Sequence, residues 1–243
     1  MRPPDALFSE RRLAETYDVF EGDRDDLDHY EAIVDEFGAT SVLDIGCGTG
    51  ELACRLARRS IGVTAVDPAT ASVDIARSKP GGADVTWIVG DATAALPIQV
   101  DLAVMTANVA QVFVDDLDWV DTLSACASAI RPAGHLVFET RRPEARGWER
   151  WVPEHTRMSA TMPSGEIVET WCELVEVTEP LVTFRWTNVF GSDGAAMTSE
   201  STLRFRSHDE IVTSLTSAGF DVADVREAPD RPGREMVFVA RRC

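Results

Sequence analysis

Ten consecutive residues, Ser41-Val42-Leu43-Asp44-Ile45-Gly46-Cys47-Gly48-Thr49-Gly50, limit what this chain can fold into more than any other stretch. A short aliphatic run ends in three glycines at alternate positions, and Glu51 to Arg59 then reads as a helix. Strand, tight turn and helix start together present backbone N–H groups to a ligand at the carboxyl end of the strand. Glycine permits positive φ there and a close backbone approach that a Cβ would block. A second strand, Gly62 to Val66, ends in Asp67; 67 − 46 = 21 residues after the first glycine is where an acid meets ribose hydroxyls. The loop departs from the dinucleotide fingerprint, because Gly-x-Gly-x-x-Gly needs glycine where Glu51 stands. Asp44 would repel a pyrophosphate and suits a ligand with an ammonium group and no phosphate.

Adenosine joined to an amino acid, S-adenosylmethionine (SAM), has that form. Val42 to Gly50, Val66-Asp67-Pro68, Gly90-Asp91-Ala92 and Arg131-Pro132-Ala133-Gly134 before a strand occur in this order. In these motifs the chain resembles the class I SAM-dependent methyltransferases, well over residues 15 to 140 and more loosely beyond. The resemblance implies a Rossmann-like, doubly wound seven-stranded α/β sheet with the last strand antiparallel, and S-adenosylhomocysteine (SAH) as product. It implies that Asp44 faces the cofactor's amino group, Asp67 accepts from the ribose diol and Asp91 reaches the adenine amino group. A helix N-cap is the plainer use of Asp91. Gly46, Cys47, Gly48 and Gly50 would give close backbone approach, and Pro68, Ala92 and Thr106 complete the expected cofactor side. The apolar residue often found five positions after the ribose aspartate is Ser72 here, so adenine packing would rest on Ala69, Ala92 or Val73.

A chain of 243 residues can bury one core. Its net charge of −18 argues against nucleic acids, whose phosphates need a concentrated basic surface, and against anionic membranes. A small-molecule substrate is the simpler partner. No apolar run nears the roughly 20 residues of a membrane span, and Met1-Arg2-Pro3-Pro4-Asp5 lacks a signal peptide's apolar core. Five cysteines without a Cys-x-x-Cys pair indicate neither a disulfide framework nor a zinc site, and the expected location is cytoplasmic.

Residues 1–38 read as a helical cover, with Leu7, Leu13, Tyr17 and Phe20 on one stripe and Leu27, Tyr30, Ile33, Val34 and Phe37 on another. The family uses such helices over the cofactor, so Tyr17 is either a contact to its methionine end or a core residue. Residues 39–140 read as the cofactor-binding core, with strands at 41–45, 62–67, 84–89, 100–105 and 135–140. From 141 to 206 the period shifts toward two, with turn signals at Met162-Pro163-Ser164-Gly165, Glu179-Pro180 and Gly191-Ser192-Asp193-Gly194. That predicts an antiparallel β-meander inserted after the fifth strand, on the substrate side, with a surface through which a homodimer could form. Residues 207–243 open on a capping box, Ser207-His208-Asp209-Glu210, and supply a helix and two strands that complete a single domain.

Asn108 and Gln111 follow the fourth strand, where open α/β sheets bind ligands, so with Arg141 they are candidate substrate contacts. Turn and cap chemistry explain Asn108 and Gln111 equally well. Candidate bases are Glu139 and His155, with His135 a weaker candidate and Asn108 a polar group at the transfer centre. Arg142, Arg146 and Arg150 would share a helical face and hold a substrate anion, or form a solvated surface. Trp148 and Trp151 would stack a substrate or anchor the meander. No His/Cys/Asp cluster suggests a metal. The favoured reading is methyl transfer to an O or N of a small metabolite. The alternatives are a SAM-binding module without turnover and a protein or RNA methyltransferase; Thr106-Ala107-Asn108-Val109 lacks the family's nucleic-acid signature.

Overall fold

The computed structural model describes residues 2–243. Its centre is a seven-stranded sheet, β1 (Ser41–Ile45), β2 (Gly62–Asp67), β3 (Val85–Val89), β4 (Val100–Met105), β5 (Ile130–Arg141), β10 (Phe220–Glu227) and β11 (Glu235–Arg242), in the order β10-β11-β5-β4-β1-β2-β3. β1 pairs in parallel with β2 and β4, whereas β11 runs antiparallel between β5 and β10. Strand order reverses between β1 and β4, which opens a crevice at their carboxyl ends. Because β1 and β4 are covered on both faces, Val42, Leu43, Leu102, Ala103 and Val104 have no exposed surface and read as continuous apolar runs.

Helices α1 (Ala6–Ser9), α2 (Arg11–Glu21), α3 (Asp26–Glu36), α4 (Glu51–Arg58), α5 (Thr70–Ser78), α6 (Asp116–Ala129), α7 (Pro153–Thr156) and α8 (His208–Ser217) surround the sheet. One core cluster joins α6 and α8 to the sheet through Trp119, Leu123, Leu215, Phe138 and Phe238. A second joins α3 and α4 to the other face through Tyr30, Ile33, Leu52, Leu56, Val104 and Val137. In α4 the buried Leu52, Ala53, Leu56 and Ala57 follow helical spacing, with Glu51 in the first turn and Arg55 and Arg58 in the last, as the helix dipole favours. The capping box at Ser207 forms: its hydroxyl accepts from the Glu210 N–H while Glu210 accepts from the Ser207 N–H.

The insertion is a separate four-stranded antiparallel sheet of β6 (Met158–Thr161), β7 (Ile167–Thr178), β8 (Leu181–Phe190) and β9 (Ala196–Arg204). The sequence pattern shows three of these runs; β6, four residues long and mostly exposed, is too short to show a period. Residues at alternate positions, Val168, Thr170 and Cys172 on β7 and Ser199, Ser201 and Leu203 on β9, are buried on the face turned toward the core domain. Other sequence expectations shift locally. The first helix breaks at Glu10, whose backbone is extended, giving α1 and α2. The fifth strand begins at Ile130, with its register against β4 shifting between the Val100 and Leu102 partners. The single helical face expected for Arg142, Arg146 and Arg150 does not exist: short 3-10 turns flank Arg146, whose φ of 45° interrupts them. Arg142 instead pairs with Glu227, and Arg146 with Glu149.

Candidate functional site

The carboxyl ends of β1, β2, β3 and β4 open into a cavity of about 380 Å³ covered by the amino-terminal segment. Ile45 to Thr49, Asp67, Pro68, Asp91, Ala92, Thr106 and Ala107 line it from below; Pro3, Pro4, Asp5, Phe8, Tyr17 and Arg24 line it from the cover. Asp44 is 1% exposed, and its Oδ1 has no hydrogen-bond partner among the described residues. Burial, with the nearby Asp67 adding to it, pushes the Asp44 carboxyl up to about 7. An orphaned buried carboxylate oxygen beside a cavity calls for a cationic or N–H donor guest. Asp67 is held by its own turn, Oδ2 accepting from the Gly48 N–H at 2.9 Å and Oδ1 from the Ala69 N–H at 2.8 Å. Burial still raises its pKa above the usual carboxylate range.

The wall carries six carboxylates (Asp5, Asp44, Glu51, Asp67, Asp91 and Asp118) against two guanidiniums, Arg2 and Arg24. Such a balance repels phosphates and attracts a cation. Gly48, at φ +52°, would aim a Cβ into open space, as a loop that cradles a ligand requires. Gly50 plays a different part. A Cβ there would meet Trp87 at 2.4 Å and Ala76 at 2.6 Å, so it serves packing and does not line the cavity.

Asp91 lines the cavity and also caps a short 3-10 turn by accepting from the Thr93 N–H; the Thr93 hydroxyl bond holds its carboxyl below the ordinary value. The cap is therefore formed, and the same side chain lines the cavity. Tyr17 lines the cavity beside Phe8, with ring centroids 5.6 Å apart, and burial pushes its phenol pKa up, so it stays protonated. Ala92 is the one residue of the three expected against adenine that lines the cavity; Ala69 and Val73 are in the core, and the Ser72 hydroxyl donates to the Phe8 carbonyl.

A second cavity, about 180 Å³, lies beside the first. Asp5, Phe8, Tyr17, Ala107 and Val112 line both, forming a wall shared between them. Its floor holds Asn108 and Arg141, from the ends of β4 and β5, and its roof is the inserted sheet with Met158, Thr170, Phe184, Trp186, Asn188, Ser201 and Leu203. Asn108 sits in the left-handed region at φ 62°, its N–H donating to Glu139 at 3.1 Å and its amide donating to Glu235 at 3.1 Å. Glu139 also accepts from the Tyr30 hydroxyl at 2.6 Å, and burial pushes it up to about 7. It lines neither cavity, so its contacts make it a support for Asn108. Gln111 lies outside the lining too and reaches the site through Arg141, which donates to it at 2.9 Å.

The histidines fall elsewhere. His155 is exposed on α7, and His135 stacks on Phe37 midway along β5, with ring centroids 3.9 Å apart. Trp148 is buried against Phe205 and anchors the insertion; Trp151 packs on Phe184 and lies 5.4 Å from the Arg141 guanidinium carbon. Sequence reasoning missed Asp5, Phe8 and Arg24, which no motif marks. Only the Pro-Pro-Asp run ahead of an apolar stripe hints at a helix start there.

The methyltransferase-domain family model matches residues 42–134, the stretch that builds the floor of the first cavity. Over this stretch the chain resembles a SAM-dependent methyltransferase domain. An uncharacterised methyltransferase of Mycobacterium tuberculosis is 35% identical over 116 residues, which are 46% of this chain and 57% of that protein. The match thus spans little more than half the relative's length. The sugar N-methyltransferase KedS8 from Streptoalloteichus shares the fold with a TM-score of 0.76 at 19% identity, covering 93% of this chain and 92% of that one. SAM-bound CalS10 from Micromonospora echinaspora, an amino pentose methyltransferase, has a TM-score of 0.71 at 19% identity, covering 91% and 93%. The likeness to this methyltransferase fold therefore includes the inserted sheet, beyond the residues that the family model matches. No helix among the described residues is long and apolar enough to cross a membrane.

Proposed function

We propose that the protein transfers a methyl group from SAM to an oxygen or nitrogen of a small molecule held in the second cavity. The observation that carries this is the shared wall: a cofactor-sized, acid-lined cavity and a smaller roofed one are both lined by Asp5, Phe8, Tyr17, Ala107 and Val112. In the first cavity Asp44 would hold the cofactor's ammonium, Arg24 its carboxylate and Asp67 the ribose diol, with Asp91 and Ala92 at the adenine. When bound, the cofactor supplies a sulfonium methyl whose C–S electron pair stays on sulfur as the new bond forms. The chain's part is to hold the acceptor in line, exclude water and take its proton.

Asp5 would take that proton. It lines both cavities, Ser201 fixes its Oδ2 by a 2.6 Å hydrogen bond, and burial raises its pKa above the ordinary value. The roof of Phe184, Trp186 and Leu203 favours a small guest over a macromolecule. The sugar N-methyltransferase and the amino pentose methyltransferase of the same fold lend support to a small acceptor. A homodimer through the insertion fits Ile167, Val175 and Val177, all at least 37% exposed.

The test is incubation with methyl-tritiated SAM and pooled small hydroxyl- and amine-bearing acceptors. Label should pass to an organic product in the wild type, and fall at least tenfold with Asp5→Asn while SAH affinity holds. Tight SAH binding with no transfer to any pool would favour the non-catalytic module.

A further inference from the structure

Arg141 is the one cation among the described residues lining the second cavity, and most of its donors are unspent. Arg141 lines it with a side chain 23% exposed, at the end of β5. Of the five N–H donors on a guanidinium, one is spent on Gln111 at 2.9 Å. Its nearest carboxylate oxygen, on Glu235, is 3.7 Å from Nε, beyond hydrogen-bond reach. Glu235 is committed elsewhere, accepting from Arg231 at 2.8 Å and from Asn108 at 3.1 Å. Asp5 and Glu21 also line the cavity, yet neither is joined to Arg141 by an ion pair: Asp5 is bonded to Ser201, and Glu21 is exposed at the end of α2. Glu139, the other acid of the cluster, faces Tyr30 and the Asn108 backbone.

A second observation points to the same place. Asn188 and Asn108, 1% and 3% exposed, line this cavity, and Asn188 Nδ2 and Asn108 Oδ1 have no partner among the described residues. Buried polar atoms are almost always paired, so the polar complement of this pocket is incomplete. Gln111 and the Trp151 ring hold the guanidinium from two sides, which pre-organises its fork for a planar bidentate partner. Phe8, Phe20, Phe184, Trp186 and Leu203 give the wall large apolar and aromatic surfaces, with the hydroxyls of Thr16, Thr170 and Ser201 between them.

We infer that the methyl acceptor is a small monocarboxylic acid with a flat apolar body, its carboxylate held bidentately by Arg141 and its hydroxyl or amine reaching the wall shared with the first cavity. This deepens the methyl-transfer reading and rests on it. A single fork matches a monoanion; a phosphate or other dianion would call for a second cation, and none among the described residues lines the cavity. Neutral sugars lack the charge that Arg141 awaits.

The test uses SAH-saturated protein and tryptophan fluorescence, since Trp186 lines the cavity and Trp151 packs beside Arg141. The probes are benzoate, phenylacetate and 4-hydroxybenzoate, each paired with its neutral amide. At least one acid should bind with a submillimolar Kd and at least tenfold more tightly than its amide. Arg141→Met should abolish that preference, and Arg141→Lys should retain part of it, both with SAH affinity and Tm near wild type. Equal binding of acid and amide, binding of no acid, or a preference that survives in Arg141→Met would overturn the proposal. SAH titration reports on the first cavity alone, and the probe pairs repeated without SAH report on the second. Loss of SAH binding with the acid preference intact would therefore fault the methyl-transfer reading and spare the anion site.

Discussion

Single residues carry the clearest energetic consequences. Asp44 has its carboxyl pushed from 3.8 up to about 7 by burial. The folded state then binds its proton more tightly than the unfolded chain does. This contribution to the stability of the ligand-free protein is full below about pH 4 and falls as pH rises toward about 7, by on the order of 4 kcal/mol. Urea unfolding from pH 4.5 to 8 should show that decline, and Asp44→Asn should remove a substantial part of it, with Glu139 and Asp67 leaving a remainder of the same sign. Binding of SAM's ammonium needs the ionised form, so affinity should rise about tenfold between about pH 6 and 8. A wild-type profile flat in both measurements would contradict the assignment. The two loop glycines separate by the same kind of reasoning. Gly50→Ala meets Trp87 and Ala76 and should cost roughly 2–4 kcal/mol in unfolding free energy. Gly48→Ala should cost only about 1 kcal/mol for its left-handed backbone yet weaken SAH binding, since its Cβ enters the space meant for the ligand.

At the scale of elements, the cover and the insertion act as one assembly. The Asp5 carboxylate accepts from Ser201, the Leu7 N–H donates to the Ser199 hydroxyl, and Arg12 pairs with Asp193 and Glu166 while lying 3.8 Å over the Phe190 ring. None of the four α1 residues is fully buried, so removing residues 1–9 should lower Tm by only a few degrees. The same truncation takes Pro3, Pro4, Asp5 and Phe8 from the cavity walls. SAH affinity measured by calorimetry should therefore drop more than tenfold, and an unchanged affinity would show that the cover is not part of the site. What the sequence disclosed here follows from range. The strand–glycine–helix unit and Asp67 lie within about one supersecondary unit, so spacing alone brings Asp44, Gly46, Gly48 and Asp67 to one cavity. The second cavity is gathered from α1, α2, the ends of β4 and β5, and the strands of the insertion, and no local period encodes such a meeting. Spacing also could not tell that Gly50 packs while Gly48 faces the ligand, nor that Arg146 would break the helix assumed for its neighbours.

For the whole molecule, charge and layering decide what can approach. A net charge of −18 surrounds a cofactor cavity whose own wall sets six carboxylates against two guanidiniums. A cationic ligand is drawn into this field, whereas polyanions are turned away. Mobility shifts with RNA or DNA at about 50 mM salt should show no complex, since counterion release requires basic contacts that this surface does not concentrate. Within that field Arg141 is a local exception, kept cationic beneath an apolar roof and beside a cluster whose carboxylates are already engaged. On the proposed reading, the cofactor's ammonium would answer to the carboxylates of the first cavity and the acceptor's carboxylate to Arg141.

The most direct measurement is a calorimetric titration of SAM and SAH into the wild type and Asp67→Ala, with NAD as the phosphate-bearing control. Micromolar binding of both ligands, a loss of more than about tenfold in the variant (roughly 1.4 kcal/mol) and no heat with NAD are the expected results. Failure of the wild type to bind either ligand, or NAD binding as tightly as SAM, would contradict the reading of the first cavity and with it the proposed methyl transfer.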